Sequence, residues 1–162
     1  MESAYIEQYI EGMLQKYSNM IIRIAAGQVN SMTDAEDIAQ EVFIKLMTNA
    51  PDFENEVHEK AWMIRVTINL CKDYHKNAWN RKREYLDDNI PAREREEEDG
   101  LWETVKKLPS KYRNVLYLFY YEDYSINEIA AILKQKESTV GSWLHRARKL
   151  LKKELKGGMD YV

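Results

Sequence analysis

The sequence has little of what cross-links or interrupts a chain. One cysteine, Cys71, stands alone among 162 residues, so no internal disulfide and no multi-cysteine metal site can form. It lies between Leu70 and Lys72 in a helical pattern, where a small buried or half-buried thiol is the expected role. Three prolines, Pro51, Pro91 and Pro109, leave long uninterrupted stretches between them. The six glycines are scattered and make no phosphate-cradling loop. No apolar run approaches the roughly 20 residues that a membrane span needs. The first residues, MESAY, lack the basic and apolar regions of a signal peptide, so a cytoplasmic location without membrane insertion is expected. None of the three histidines, His58, His75 and His145, sits in a Glu-x-x-His pattern, and His58-Glu59 has no second histidine four residues on. A helical metal enzyme drawing ligands from Asp34, Asp37, Glu41 and these histidines therefore has no motif behind it. No catalytic residue, metal or cofactor is expected.

What is present is a globular balance, 44% hydrophobic and 31% charged, with a net charge of −3. That sum averages strongly segregated blocks. From Lys134 to Lys156 the cations Lys134, Lys136, Arg146, Arg148, Lys149, Lys152, Lys153 and Lys156 face only Glu137 and Glu154. Just before this block, Ser125 and Glu128 have capping-box spacing, so a helix should start there. Ile126, Ile129, Ala130 and Leu133 give it an apolar face. After the polar residues Lys134, Gln135 and Lys136, a second helix carries the stripe Val140, Leu144, Ala147 and Leu151. Small Ala130 permits a close crossing and Val140 fills the angle. This is a helix-turn-helix layout, whose second helix enters the major groove by its N-terminal end. Late lysines also complement a helix dipole, but that does not account for Ser138, Thr139, Ser142, His145 and Arg146 near its front.

Residues 2–30 read as one or two helices in which Tyr5, Ile6, Tyr9, Ile10, Met13, Leu14 and Tyr17, then Ile21, Ile22, Ile24, Ala25 and Val29, pack a core. Thr33 and Glu36 form a second apparent capping box, opening a helix to about Met47. It turns Ala35, Ile38, Ala39, Val42, Phe43 and Leu46 inward and Asp34, Asp37, Gln40, Glu41 and Lys45 outward. Residues 49–56 are a loop around Pro51. Phe53 in its middle has two readings, a core anchor or a platform for an unstacked base. A third helix runs from Glu59 to about Asn77, with Ala61, Ile64, Ile68, Cys71 and His75 as its buried stripe, widened by Trp62, Val66 and Leu70. Arg65, Asn69, Lys72 and Lys76 take the remaining surface, and Trp79 to Arg83 make a basic end. Aromatics among cations suit single-stranded nucleic acid.

Between Glu84 and Glu103 nine anions face only Arg93 and Arg95. Such a run reads as a linker, at most about 70 Å long over some twenty extended residues. A short helix is expected from Leu101 to Leu108, with Leu101, Trp102, Val105 and Leu108 apolar. Another starts at Pro109, with Val115, Leu116, Leu118, Phe119 and Tyr120 packing under the helix-turn-helix. The predicted fold is all-α: two small helical domains, 1–83 and 100–162, joined by an acidic flexible linker, 84–99.

The stretches DAEDIAQEVFIKL (34–46), AWMIRVTINLCKDY (61–74), LPSKYR (108–113), YSINEIAAIL (124–133) and STVGSWLHRAR (138–148), in this order, resemble the extracytoplasmic-function (group IV) sigma factors of bacterial RNA polymerase. The resemblance implies a promoter-specificity factor without enzymatic activity. It places Asp37, Gln40 and Glu41 on the clamp helices of the polymerase largest subunit. It places Phe53, Arg65 and Asn69, with Lys72 and Lys76, at the melted −10 strand. Ser138, Thr139, Ser142, His145 and Arg146 would meet the −35 duplex, with Arg148 and Lys149 on its backbone. An anti-sigma protein is a further implied partner. The chain departs from the family where Lys134 replaces a turn glycine, which predicts a turn different in detail. Gly141 and Trp143 stand where basic residues are frequent, which predicts fewer phosphate contacts. A stand-alone helix-turn-helix regulator is the alternative; it leaves Gln40, Glu41 and the basic 79–83 end without a purpose.

Overall fold

The structure is a computed structural model and describes residues 2–29, 31–76 and 100–158. The basic end 79–83 and the acidic linker 84–99 lie outside the described residues. The chain divides into two compact units, Met1–Ala92 and Arg93–Val162, and no strand occurs among the described residues.

The first unit is a three-helix bundle of α1 (Glu2–Ala26), α2 (Met32–Asn49) and α3 (Glu56–Lys76), each packed on the other two. Met13, Tyr17, Met20, Ile21, Ile24 and Ala25 of α1 and Ala35, Ile38, Ala39, Val42, Phe43 and Leu46 of α2 are buried in its core. The apolar stripe of α2 is the one its 3.6-residue period predicts. Three expectations are corrected. α1 is one helix, but Tyr5, Ile6, Tyr9 and Leu14 in its first half are exposed, because α2 and α3 cover only its later turns. The cap of α2 is Ser31, whose Oγ accepts from the Asp34 N–H at 3.1 Å, so the helix begins two residues before the Thr33 box. α3 is rotated relative to the predicted stripe. Met63, Ile64, Thr67, Ile68, Cys71 and Tyr74 are its buried residues, while Ala61, Trp62, Val66 and Leu70 are half-buried and His75 is exposed. Thr67 is tolerated inside because its hydroxyl donates to the Met63 carbonyl one turn back at 2.7 Å. Tyr74 keeps its hydroxyl satisfied on Asp34 Oδ2 at 2.8 Å.

The second unit contains α4 (Gly100–Val105), α5 (Ser110–Leu116), a π-helical turn at Tyr117–Tyr121, α6 (Ile126–Leu133) and α7 (Glu137–Gly158). α4 is shorter than predicted, ending at Val105 before a turn. Pro109 is the N-cap of α5 rather than its first residue, and its carbonyl accepts from the Tyr112 and Arg113 N–H groups. Val105, Leu108, Tyr112, Val115, Leu116 and Leu118 bury under α6 and α7 against Ile129, Ala130, Ile132, Val140, Leu144 and Ala147. The predicted apolar face of α5 ends within the π turn: Leu118 is buried, but Phe119 is half-buried and Tyr120 and Tyr121 are exposed. An i→i+5 bond, Glu122 N–H to the Tyr117 carbonyl at 3.1 Å, closes that wider turn.

Candidate nucleic-acid interface

α6 starts on the predicted capping box: Ser125 Oγ accepts from the Glu128 N–H at 3.1 Å and Glu128 Oε1 from the Ser125 N–H at 2.9 Å. It ends at Lys134, with φ 57° and ψ 51°. The expectation of an altered turn is thus corrected. Lys134 takes the left-handed conformation itself, and the Lys134 and Gln135 N–H groups close on the Ala131 and Ala130 carbonyls. Asn127 Nδ2 of α6 donates to Glu137 Oε2 in the first turn of α7, clasping the two helices.

Val140, Leu144 and Ala147 are fully buried and fix the rotation of α7. The opposite stripe, at the same three- and four-residue spacing, is Ser138, Ser142, His145, Lys149 and Lys152, exposed except for half-buried Ser142. Half-buried Thr139 and exposed Arg146 flank it on one side and exposed Arg148 on the other. Arg146 and Lys149 join Lys152, Lys153, Lys156, Leu150 and Tyr112 in lining an open groove of about 710 Å³. Trp143 turns away from the exposed stripe: Lys111 of α5 stands over its ring, 5.4 Å from the centroid. Arg148 leans on the π turn. Its Nε donates to the Tyr120 hydroxyl at 2.7 Å, and its guanidinium lies 5.4 Å from the Phe119 ring and 5.6 Å from the Tyr120 ring.

In the first unit Asp37, Gln40 and Glu41 are exposed on α2. With Asp34, Asp73, Ile38, Ile44, Leu70 and Tyr74 they line a groove of about 470 Å³ between α2 and α3. Its lining combines the carboxylates of Asp34, Asp37, Glu41 and Asp73 with apolar Ile38, Ile44 and Leu70. Half-buried Phe53 meets His58 and Trp62 edge-on, at 5.4 and 5.6 Å between centroids. Asn55 Oδ1 accepts from the His58 N–H at 2.9 Å, capping α3, and His58 Nδ1 accepts from the Glu54 N–H at 3.2 Å. His58 therefore braces the loop that presents Phe53. Beyond Trp62, Arg65, Asn69, Lys72 and Lys76 continue along α3 at helical spacing, Arg65 half-buried and the others exposed. The roles of His58, Trp62 and Tyr120 escaped sequence reasoning. The Asn55 cap, three residues before His58, was the one signal for the first; the Tyr120–Arg148 pair spans 28 residues and left none.

An anionic groove on one unit, and on the other a helix-turn-helix whose outer face carries Arg146, Arg148, Lys149 and Lys152, fit a nucleic-acid-binding factor. The family models agree: sigma-70 region 2 matches residues 13–81 and sigma-70 region 4 matches residues 99–151. The chain belongs to the sigma-70 family, in its extracytoplasmic-function branch, and functions as a DNA-binding, polymerase-associated sigma factor in transcription initiation. It is 28% identical over 161 residues to the ECF RNA polymerase sigma factor SigW of Bacillus subtilis, covering 86% of this chain and 85% of SigW. It is 29% identical over 138 residues to the sigma factor SigV of the same organism, covering 82% of each. Its fold is similar to that of the sigma factor RpoE in complex with the anti-sigma factor NepR from Bartonella quintana. The TM-score is 0.66 at 19% identity, over 90% of this chain and 96% of that one. Members of this family are initiation factors rather than enzymes. No described helix is long and apolar enough to cross a membrane.

Proposed function

We propose that residues 1–83 dock on core RNA polymerase and capture the melted −10 strand, and that residues 100–162 read the −35 duplex, with 84–99 as the tether. Tethering raises the effective concentration of the second contact once the first is made. Asp37, Gln40 and Glu41 engage the clamp helices of the largest subunit. Phe53, with Trp62 beside it, offers a stacking surface for an extruded base, whose unstacking costs a few kcal/mol. Arg65, Asn69, Lys72 and Lys76 follow the strand and neutralise its phosphates. Ser138, Thr139, Ser142, His145 and Arg146 face base edges in the major groove, while Arg148 and Lys149 hold the backbone. The observation that carries this reading is the exposed stripe of α7, held outward by buried Val140, Leu144 and Ala147. An anti-sigma protein is the proposed inhibitor, by analogy with the RpoE–NepR complex. The site of action is the cytoplasm, where polymerase and chromosome meet.

Run-off transcription with core polymerase on genomic fragments, followed by start-site mapping, tests the reading. Wild-type chain should select a small set of starts. Glu41→Lys should abolish initiation while duplex binding by the full-length chain persists. Undiminished initiation by this variant would overturn the docking face.

A further inference from the structure

Arg148 and the π turn stand on opposite sides of a contact that the helix-turn-helix alone does not require. The turn adds a residue to the last coil of α5 and is held on both flanks. The Tyr117 and Tyr121 rings stack at 5.0 Å and 12°, and the Tyr117 hydroxyl donates to Glu122 Oε2 at 2.7 Å. Single π turns recur at functional sites because they re-aim side chains that an α-helix would send elsewhere. Here the re-aimed side chain is Tyr120. Its ring is more than half exposed, yet its hydroxyl receives Arg148 Nε at 2.7 Å. Arg148 is itself exposed, and no ion pair to it occurs among the described residues. An arginine held only by rings and a phenol keeps its full charge. It has also already lost rotamer freedom that a free exposed arginine would surrender on binding.

The position on α7 says what that charge is for. Gly141, His145, Arg148 and Lys152 follow one edge of the exposed face. A Cβ built on Gly141 meets nothing within 4 Å, so the front of this edge is open to close approach by a neighbouring backbone. Bonding through Nε leaves the Nη pair of Arg148, which matches two phosphate oxygens. We propose that Tyr120 is a positioning residue: it pre-sets the Arg148 guanidinium to clamp a DNA backbone phosphate beside the open Gly141 edge. This offsets the cationic side chain that position 141 lacks. The proposal rests on the DNA reading of α7.

The test measures binding of the full-length chain to a fluorescein-labelled duplex of mixed sequence across a salt series. Arg148→Gln should weaken binding and lower the slope of log affinity against log salt by about one, the signature of one lost phosphate contact. Tyr120→Phe keeps the ring and removes the hydroxyl; binding should weaken by about 3–10-fold with a smaller drop in slope. In the wild-type background Arg148→Lys keeps the charge but cannot bond Tyr120 and a phosphate as a planar fork does, so it should weaken binding about as much as Tyr120→Phe, with a smaller drop in slope than Arg148→Gln. In the Tyr120→Phe background, Arg148→Lys should cause no further loss. A Tyr120→Phe variant that lowers Tm but leaves affinity and slope unchanged would overturn the proposal, as would an Arg148→Gln variant with an unchanged slope. A full-length chain that binds no duplex at any salt would instead overturn the DNA reading itself.

Discussion

In the C-terminal unit one helix carries the whole candidate surface, and three buried residues of that same helix, Val140, Leu144 and Ala147, decide which way it faces. In the N-terminal unit the surface is assembled from parts far apart in sequence. The 49–56 loop supplies Phe53, α3 supplies His58, Trp62 and the cationic stripe, and α2 and α3 together enclose the anionic groove. A surface on one helix depends on that helix's rotation. A composite surface depends on each contact between its elements. The two units should therefore fail differently when a single side chain is removed.

The largest effect should come from Leu144→Ala. Leu144 is 1% exposed, and emptying such a site costs about 2–5 kcal/mol, a large share of the stability of a domain this small. Calorimetry should show the C-terminal transition lost or strongly lowered. Duplex binding should disappear while capture of core polymerase, assigned to the other unit, survives. Loss of both functions would refute the independence of the two units.

Phe53→Ala should cost less and touch a different partner. Removing one stacking ring is worth about 1–3 kcal/mol per base, so single-stranded oligonucleotide binding by the polymerase-bound factor should weaken while duplex binding stays unchanged. His58→Ala should give a milder version of the same defect, because it removes the brace of the loop and leaves the ring. Equal losses on single strand and duplex would mean that Phe53 serves the bundle core instead.

The same contrast between local and composite surfaces decides what is legible in the sequence. The α6–α7 pair is legible because its determinants are local: a Ser125–Glu128 box, an apolar stripe at one period, and a run of cations. The buried face of α2 is legible for the same reason, although its cap is misplaced by two residues, since Thr33 and Glu36 mimic a box that Ser31 and Asp34 provide. α3 misleads because its apolar residues nearly encircle it. Only the packing of α1 and α2 selects Met63 and Thr67 over Ala61 and Val66. The front of α1 misleads because periodicity shows that a face is apolar but not how far the neighbouring helices extend. The Phe53–His58–Trp62 cluster and the Tyr120–Arg148 pair are tertiary contacts with no spacing signature.

Lys134→Gly probes a conflict that the sequence does expose. A left-handed lysine costs roughly 1–2 kcal/mol, and the loss of chain entropy on fixing a glycine takes back about 0.5–1 kcal/mol. The variant should therefore be more stable by about 0.5–1 kcal/mol, raising the Tm of the C-terminal unit by a few degrees. Asp123, with φ 61°, is the other non-glycine left-handed residue described. Asp123→Gly should gain less, because aspartate tolerates this region better. A lowered Tm for Lys134→Gly would show that the lysine side chain makes a stabilising contact of its own.

The smallest effect separates the units by pH rather than by mutation alone. In the N-terminal unit the Tyr17 hydroxyl donates to Glu59 Oε1 at 2.7 Å, and Lys16 pairs with Glu56 and Glu59 across α1 and α3. Burial, then the Glu59 carboxylate, raises the Tyr17 pKa above its usual 10.0. The hydrogen bond to Glu56 raises that of Lys16, an exposed group of little energetic weight. Because the folded-state value of Tyr17 is the higher one, its contribution is complete below about pH 10. It fades as the pH rises through the raised value, since the unfolded chain ionises first. Tyr17→Phe lacks this dependence. The Tm advantage of the wild type over Tyr17→Phe should thus be constant from about pH 7 to 9 and shrink from about pH 10 upward. A gap that stayed constant into strong alkali would remove the Tyr17–Glu59 bond from the forces that hold α1 to α3.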